Sequence, residues 1–258
     1  MQHGDVRDRN EQPPMKALVF VHGYLGGGQQ WVEQVRVFGT QFQVITPDLP
    51  GFGANNTAIT PDSIRGLAMN VLGQLDKLGV HHFHLVGHSM GGMIAQEMVA
   101  LAPERVDRLV LYGTGPVGLM PGRFETIDES RCAIHERGVE TTGERISATW
   151  FLHGESGQGY GLCAELALQA SEQAALAGLT AMEHWSGVAA LAEIKSPTLV
   201  LWGDLDRAYL WPQPEQLWHG ITGAQLAVIP GCSHAVHLEK PQLFNAVLAD
   251  FLMNQQSS

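Results

Sequence analysis

The chain has 258 residues, 45% of them hydrophobic and only 16% charged, with a formal net charge of −11. That length and composition suit one large domain, or a core with an insertion, and exclude intrinsic disorder for most of the chain. The acidity leaves no basic footprint for nucleic acid or an anionic membrane surface, and no apolar run approaches the roughly 18 residues of a membrane span.

Residues 1–15 read as a polar tail, because Asp5, Arg7, Asp8, Arg9 and Glu11 interrupt any apolar stretch, so no secretory signal is expected there. Beyond it, apolar runs of strand length alternate with stretches of helical spacing. Residues 17–23 (ALVFVHG) form a buried-strand pattern, 28–38 a helix-like one, and 42–48 (FQVITPD) the next strand. Residues 60–79 predict a helix, with Thr60 as cap and Pro61 in the first helical position. A strand over 82–88, a helix over 90–101 and a strand over 109–115 follow, then strands at 198–203 and 225–231 and a last helix over 240–252. Near-continuous apolar strands separated by helices predict an α/β fold with a mostly parallel, doubly wound sheet of about six strands. No strand-like run occurs between about 117 and 194. That stretch carries four arginines against ten glutamates and one aspartate, and reads as an acidic helical cap inserted between the core segments 16–116 and 195–258.

The strongest chemical signal is Gly87-His88-Ser89-Met90-Gly91, set between a strand and a helix. A serine on so sharp a turn projects its hydroxyl above the sheet, and the flanking glycines let strand and helix approach closely. His22-Gly23-Tyr24, followed by Leu25-Gly26-Gly27-Gly28, ends the first strand. It suits an oxyanion hole, with the backbone N–H groups of Tyr24 and Met90 as the two donors. A phosphate loop is disfavoured, since neither GK[ST] nor GxGxxG is present. Asp48-Leu49-Pro50-Gly51-Phe52-Gly53 reads as a structural loop along one wall of the site.

Gly231-Cys232-Ser233-His234 places a histidine just past the last strand, able to act as general base and then general acid. Cys232 reads as a small buried filler, and His237 as packing at the start of the last helix. Trp202-Gly203-Asp204-Leu205-Asp206 supplies the carboxylate that must orient the histidine; Asp206 is preferred and Asp204 is the alternative. His81, His82 and His84 suggest a metal cluster, yet 81 and 82 straddle a loop and no carboxylate or cysteine ligand set lies nearby. No metal and no cofactor are expected. With three cysteines, Cys132, Cys163 and Cys232, forming no CxxC pair, no disulfide framework is expected, and the setting is expected to be cytoplasmic.

Together HGYLGG, DLPGFG, GHSMGG, PTLVLWGDLD and GCSHAVHLEKP resemble the α/β-hydrolase superfamily, in particular its bacterial members with a helical cap, over essentially all of residues 16–253. The resemblance implies a Ser–His–Asp hydrolase without cofactor, with nucleophile Ser89, acid Asp206, base His234 and oxyanion donors Tyr24 and Met90. Its usual N-terminal β-hairpin is missing here. Carbon–carbon bond hydrolases of that superfamily carry tryptophan directly after the catalytic histidine, where this chain has Ala235. A serine in the elbow excludes the aspartate-nucleophile dehalogenases and epoxide hydrolases.

The expectation is therefore a hydrolase of a small or medium carboxylic ester or lactone, monomeric or homodimeric. The alternatives are a carbon–carbon hydrolase of a diketo acid and a ligand receptor on the same fold. Trp150, Phe151, Trp185, Met120 and Met182 are candidates to line the substrate pocket. An acidic cap repels anionic substrates unless Arg123, Arg131, Arg137 or Arg145 faces inward.

Overall fold

The computed structural model describes residues 15–253, so the polar tail lies outside the described residues apart from Met15. Six strands, all paired in parallel, form one sheet in the order β2-β1-β3-β4-β5-β6. They are β1 (Ala17–Val21), β2 (Gln43–Ile45), β3 (Phe83–His88), β4 (Val106–Tyr112), β5 (Thr198–Gly203) and β6 (Gln225–Ile229). Helices cover both faces, which is why the central strands read as unbroken apolar runs. Alternation along β1 divides the core. Ala17, Val19 and Val21 face α2 (Ile64–Lys77) and α3 (Met90–Leu101), while Leu18 and Phe20 face α1 (Val32–Phe38) and α9 (Pro241–Met253).

Several boundaries differ from the sequence expectation, each for a local reason. The 28–38 segment opens as a 3₁₀ turn, Gly28–Trp31, before α1 begins. β2 stops at Ile45 rather than 48, and Pro47, two residues on, has no N–H to extend the ladder. Thr60 does not cap α2: it is buried and its hydroxyl donates to the Pro50 carbonyl at 2.8 Å. The helix starts at Ile64 instead, with Ser63 Oγ accepting from the Gly66 N–H. β3 begins at Phe83 rather than 82, so His82 precedes the strand while His84 is buried within it. β4 ends at Tyr112 because Gly113 turns into the left-handed region, φ 50°. The C-terminal helix is two: α8 (Val236–Glu239) breaks before Pro241, which cannot continue it, and α9 follows.

The segment between β4 and β5 is helical: α4 (Ile127–Ala148), α5 (Tyr160–Leu168) and α6 (Glu172–Glu183), with α7 (Pro212–Gly220) following β5. Thr126 and Glu129 close a capping box at the start of α4, and Gly138 (φ 81°) kinks it. The two ends of the segment meet in an antiparallel bridge between Val117 and Ser186, so the chain leaves and re-enters the core side by side. It is tied down at several points. The Tyr24 hydroxyl donates to the Ala175 carbonyl, and the Trp185 indole N–H donates to Glu97. Ala235 N–H donates to the Trp150 carbonyl, and Glu239 accepts from the amides of both Leu152 and Ser233 at 2.7 Å.

Candidate active site

Ser89 stands between β3 and α3 with φ 58° and ψ −124°, one of only two non-glycine residues among those described with positive φ. Such a backbone costs on the order of 1–3 kcal/mol and persists only where its surroundings enforce it. Here the Ser89 N–H donates to the Tyr112 carbonyl, and Thr114 Oγ1 donates back to the Ser89 carbonyl at 2.7 Å. The glycines around it answer to close approach. A Cβ on Gly91 would sit 2.3 Å from the Val21 carbonyl oxygen, and one on Gly87 2.4 Å from that of Gly91.

The Gly23–Tyr24 peptide runs directly against Ser89. A Cβ on Gly23 would lie 2.8 Å from the Ser89 Cβ and 3.4 Å from its Oγ. The orientation of that peptide is held by His22. Its Nδ1–H donates to the Gly23 carbonyl at 2.8 Å, its Nε2 accepts from Leu49 N–H at 3.0 Å, and the Gly26 N–H also reaches the same carbonyl. Carbonyl and N–H point oppositely in a planar trans peptide, so fixing the Gly23 carbonyl fixes the Tyr24 N–H. Met90 lies at the first turn of α3, where a helix leaves its amides without intrahelical partners.

His234 and Asp206 form a buried pair. Nδ1–H of the imidazole donates to Asp206 Oδ2 at 2.8 Å, leaving Nε2 for Ser89, which lines the same cavity. Asp206 Oδ1 accepts the amides of Ala208 and Tyr209 at 2.7 and 3.0 Å, so the carboxylate is fixed from both oxygens. Asp204 is exposed and holds the Gly231 amide at 2.7 Å, pinning the loop that carries His234. The His234 carbonyl is itself anchored, accepting from the Tyr112 hydroxyl at 2.7 Å and from His88 Nε2 at 3.2 Å. His237 sits in the short α8, bonded to that same tyrosine.

Behind the pair the rings are kept neutral. Burial pulls the His88 pKa well below 6.5, assisted by the neighbouring His234 and His237, and burial pulls His237 down to about 3. Burial likewise lowers His22. In the unfolded chain these rings protonate below about pH 6.5, whereas in the fold they stay neutral to lower pH. Each therefore contributes stability above that pH which is lost as the pH falls. For His237, held at about 3, the loss from about pH 7.5 to about pH 5 is roughly 2 kcal/mol. Urea titrations at those two values should show the midpoint fall at the acid end; a constant midpoint would contradict rings held neutral by burial.

The cavity around Ser89 has a volume of about 20 Å³, enough for a single water. Met120, Trp150 and Met182 line it, as expected from the sequence, together with Arg123, Phe124 and Ile146 from the same helical segment. Phe151 does not: it is fully buried and packs edge-on against Tyr160. Trp185 does not either, lying over a separate cleft beside Gln96 and Glu97. Phe52 of the DLPGFG loop packs edge-on against Tyr24 and His22 and leaves the cavity wall to other residues. Cys232 is buried on the far face of the sheet. Tyr209 went unnoticed in the sequence. It stacks on His234 with centroids 5.5 Å apart and planes 12° from parallel, and lines the cavity together with Ser89. Burial raises its pKa to about 12, so it remains a hydrogen-bond donor. Its position three residues after Asp206 was the available signal. Among the described residues no group of three or more His, Cys, Asp or Glu side chains is arranged to hold a metal, and no helix is long and apolar enough to cross a membrane.

A family model described as the alpha/beta hydrolase family matches residues 18–247. A 2-hydroxy-6-oxo-6-phenylhexa-2,4-dienoate hydrolase of Burkholderia cepacia is 31% identical over 259 residues, spanning 95% of this chain and 90% of that protein. Monoacylglycerol lipase abhd6-A of Xenopus laevis is 28% identical over 272 residues, with 96% of this chain and 78% of that protein covered. Among solved structures, an enol-lactonase from Burkholderia xenovorans LB400 superposes with a TM-score of 0.86 at 22% identity, covering 94% of this chain and 93% of that one.

Proposed function

The chain belongs to the alpha/beta hydrolase family, and from that premise we propose that it is a serine hydrolase of a small or medium carboxylic ester or lactone. The observation that carries this reading is the buried Asp206–His234 pair, 2.8 Å apart, beside a serine held in a strained elbow. Ser89 Oγ attacks the carbonyl carbon while its proton passes to His234 Nε2. The oxyanion forms against the amides of Tyr24 and Met90. Collapse of the tetrahedral intermediate breaks the bond to the alcohol, which leaves with the proton from His234. Water, deprotonated by the same nitrogen, then attacks the acyl-enzyme and releases the acid. The helical segment 117–194 serves as a cap over this site, and with room for about one water, an acyl group enters only as Met120, Trp150 and Met182 move aside. Three free cysteines, two of them buried, support a cytoplasmic setting.

One observation favours carbon–carbon hydrolysis of a diketo acid as a second reading: relatives named as such hydrolases share about a third of their residues with this chain. Against it stands Ala235, which follows His234 where the superfamily's carbon–carbon hydrolases carry tryptophan. The indole next to His234 here belongs to Trp150, 6.3 Å away between centroids. A panel of para-nitrophenyl esters, lactones and one dienoic diketo acid, compared by kcat/KM, separates the two. The ester reading expects an ester or lactone to lead. A diketo acid ahead of every ester by about a hundredfold, roughly 2.7 kcal/mol of transition-state discrimination, would overturn it.

A further inference from the structure

We propose that Arg123 forms a carboxylate-binding subsite in the catalytic cavity, so that the substrate carries a free carboxylate besides the bond that is cleaved. The inference rests on the hydrolase reading and extends it to substrate class. Four arginines lie in the acidic segment between β4 and β5. Arg131 is engaged by Asp128 and Glu183, Arg145 by Glu125, and Arg137 is exposed. Arg123 alone of the four lines the cavity that holds Ser89 and His234. One of its terminal nitrogens, Nη1, is buried with no hydrogen-bond partner. Its guanidinium lies over the Phe124 ring at 4.9 Å, a contact with the ring face that leaves the in-plane N–H donors free.

A buried, charged donor without a partner is costly, and a carboxylate is the ligand whose two oxygens match the guanidinium fork. The nearest acidic candidate in sequence, Glu125, is already spent on Arg145 and Ser130. The positive charge also reaches both sides of the nucleophile, for it opposes the burial-driven rise in the pKa of Tyr24 and of Tyr209. The rest of the segment is strongly acidic, so an anion bound here is held by this one cation against a repulsive background. Discrimination should therefore depend steeply on it and weaken with added salt.

Two measurements test this. In the first, wild type, Arg123→Gln and Arg123→Lys are assayed on the mono-para-nitrophenyl ester of glutaric acid, on the neutral para-nitrophenyl butyrate, and on a dienoic diketo acid. Fluorophosphonate labelling of Ser89 verifies that each variant is assembled. The expected result is a fall of roughly tenfold or more in the kcat/KM ratio of half-ester to neutral ester for Arg123→Gln, partly restored in Arg123→Lys. The half-ester and diketo-acid arms tell which skeleton bears the carboxylate. In the second, glutarate is titrated calorimetrically into Ser89→Ala and into Ser89→Ala with Arg123→Gln, which reads binding without turnover. Binding lost with the arginine supports the subsite even if no ester is cleaved, in which case the hydrolase reading is what fails. An unchanged ratio in a labelled variant, or glutarate binding that ignores Arg123, overturns the subsite.

Discussion

Ser89→Ala is expected to lose turnover by about 10⁴-fold or more in kcat while retaining the native fold. The loss follows from geometry. Only the Ser89 hydroxyl stands both in the elbow and against the Gly23–Tyr24 peptide, and the backbone bonds to Tyr112 and Thr114 that hold the turn do not involve Oγ. Alanine accepts the same strained φ and keeps those bonds, so circular dichroism and the urea midpoint should stay close to wild type. A fluorophosphonate should label the wild type at Ser89 and leave the variant unlabelled. Stoichiometric labelling of a different residue in wild type, with Ser89 untouched, would remove the serine from its role.

Asp206→Asn should be nearly as damaging, about 10⁴-fold by analogy with other triads, and the hydrogen bonds say why. Oδ1 accepts the amides of Ala208 and Tyr209, so the asparagine keeps its oxygen there and turns its NH₂ toward His234 Nδ1. The imidazole must then accept at Nδ1 and carry its proton on Nε2, where it can no longer take one from Ser89. Asp204→Asn meets a different situation. Its oxygen can still accept the Gly231 amide at the surface, and kcat/KM should change by only a few-fold, roughly the cost of one exposed hydrogen bond. Should the Asp204 variant be the inactive one, the acid of the pair has been misassigned.

The architecture and the candidate residues that come together around Ser89 were readable because both depend on local patterns. Buried parallel strands are apolar throughout, and an elbow needs small residues at fixed offsets from its serine. Element ends were less legible. Thr60 has the chemistry of a helix cap, but a tertiary contact with the Pro50 carbonyl claims its hydroxyl. The pocket was half legible: Trp150 and Phe151 are neighbours of similar character, and only the three-dimensional turn after α4 decides that one faces His234 and the other Tyr160. Tyr112 and Glu239 stayed hidden because each acts through a partner far away in the chain or through backbone atoms, which leaves no spacing to recognise.

The way Glu239 and Ala235 hold the helical segment bears on how readily this scaffold can be diversified. On the segment's side both tethers use main-chain atoms, the Leu152 amide and the Trp150 carbonyl, while the one side chain required belongs to the core. Trp150, which lines the cavity, can thus be varied in a library to reshape the room beside His234 without cutting the connection to the loop that carries His234, whereas Phe151, fully buried against Tyr160, has to be kept. Insertions or deletions there would be another matter, since they displace the backbone that Glu239 grips. Combinatorial redesign of specificity therefore has a clear rule here: randomise position 150, spare the buried Phe151, and keep the length of the turn.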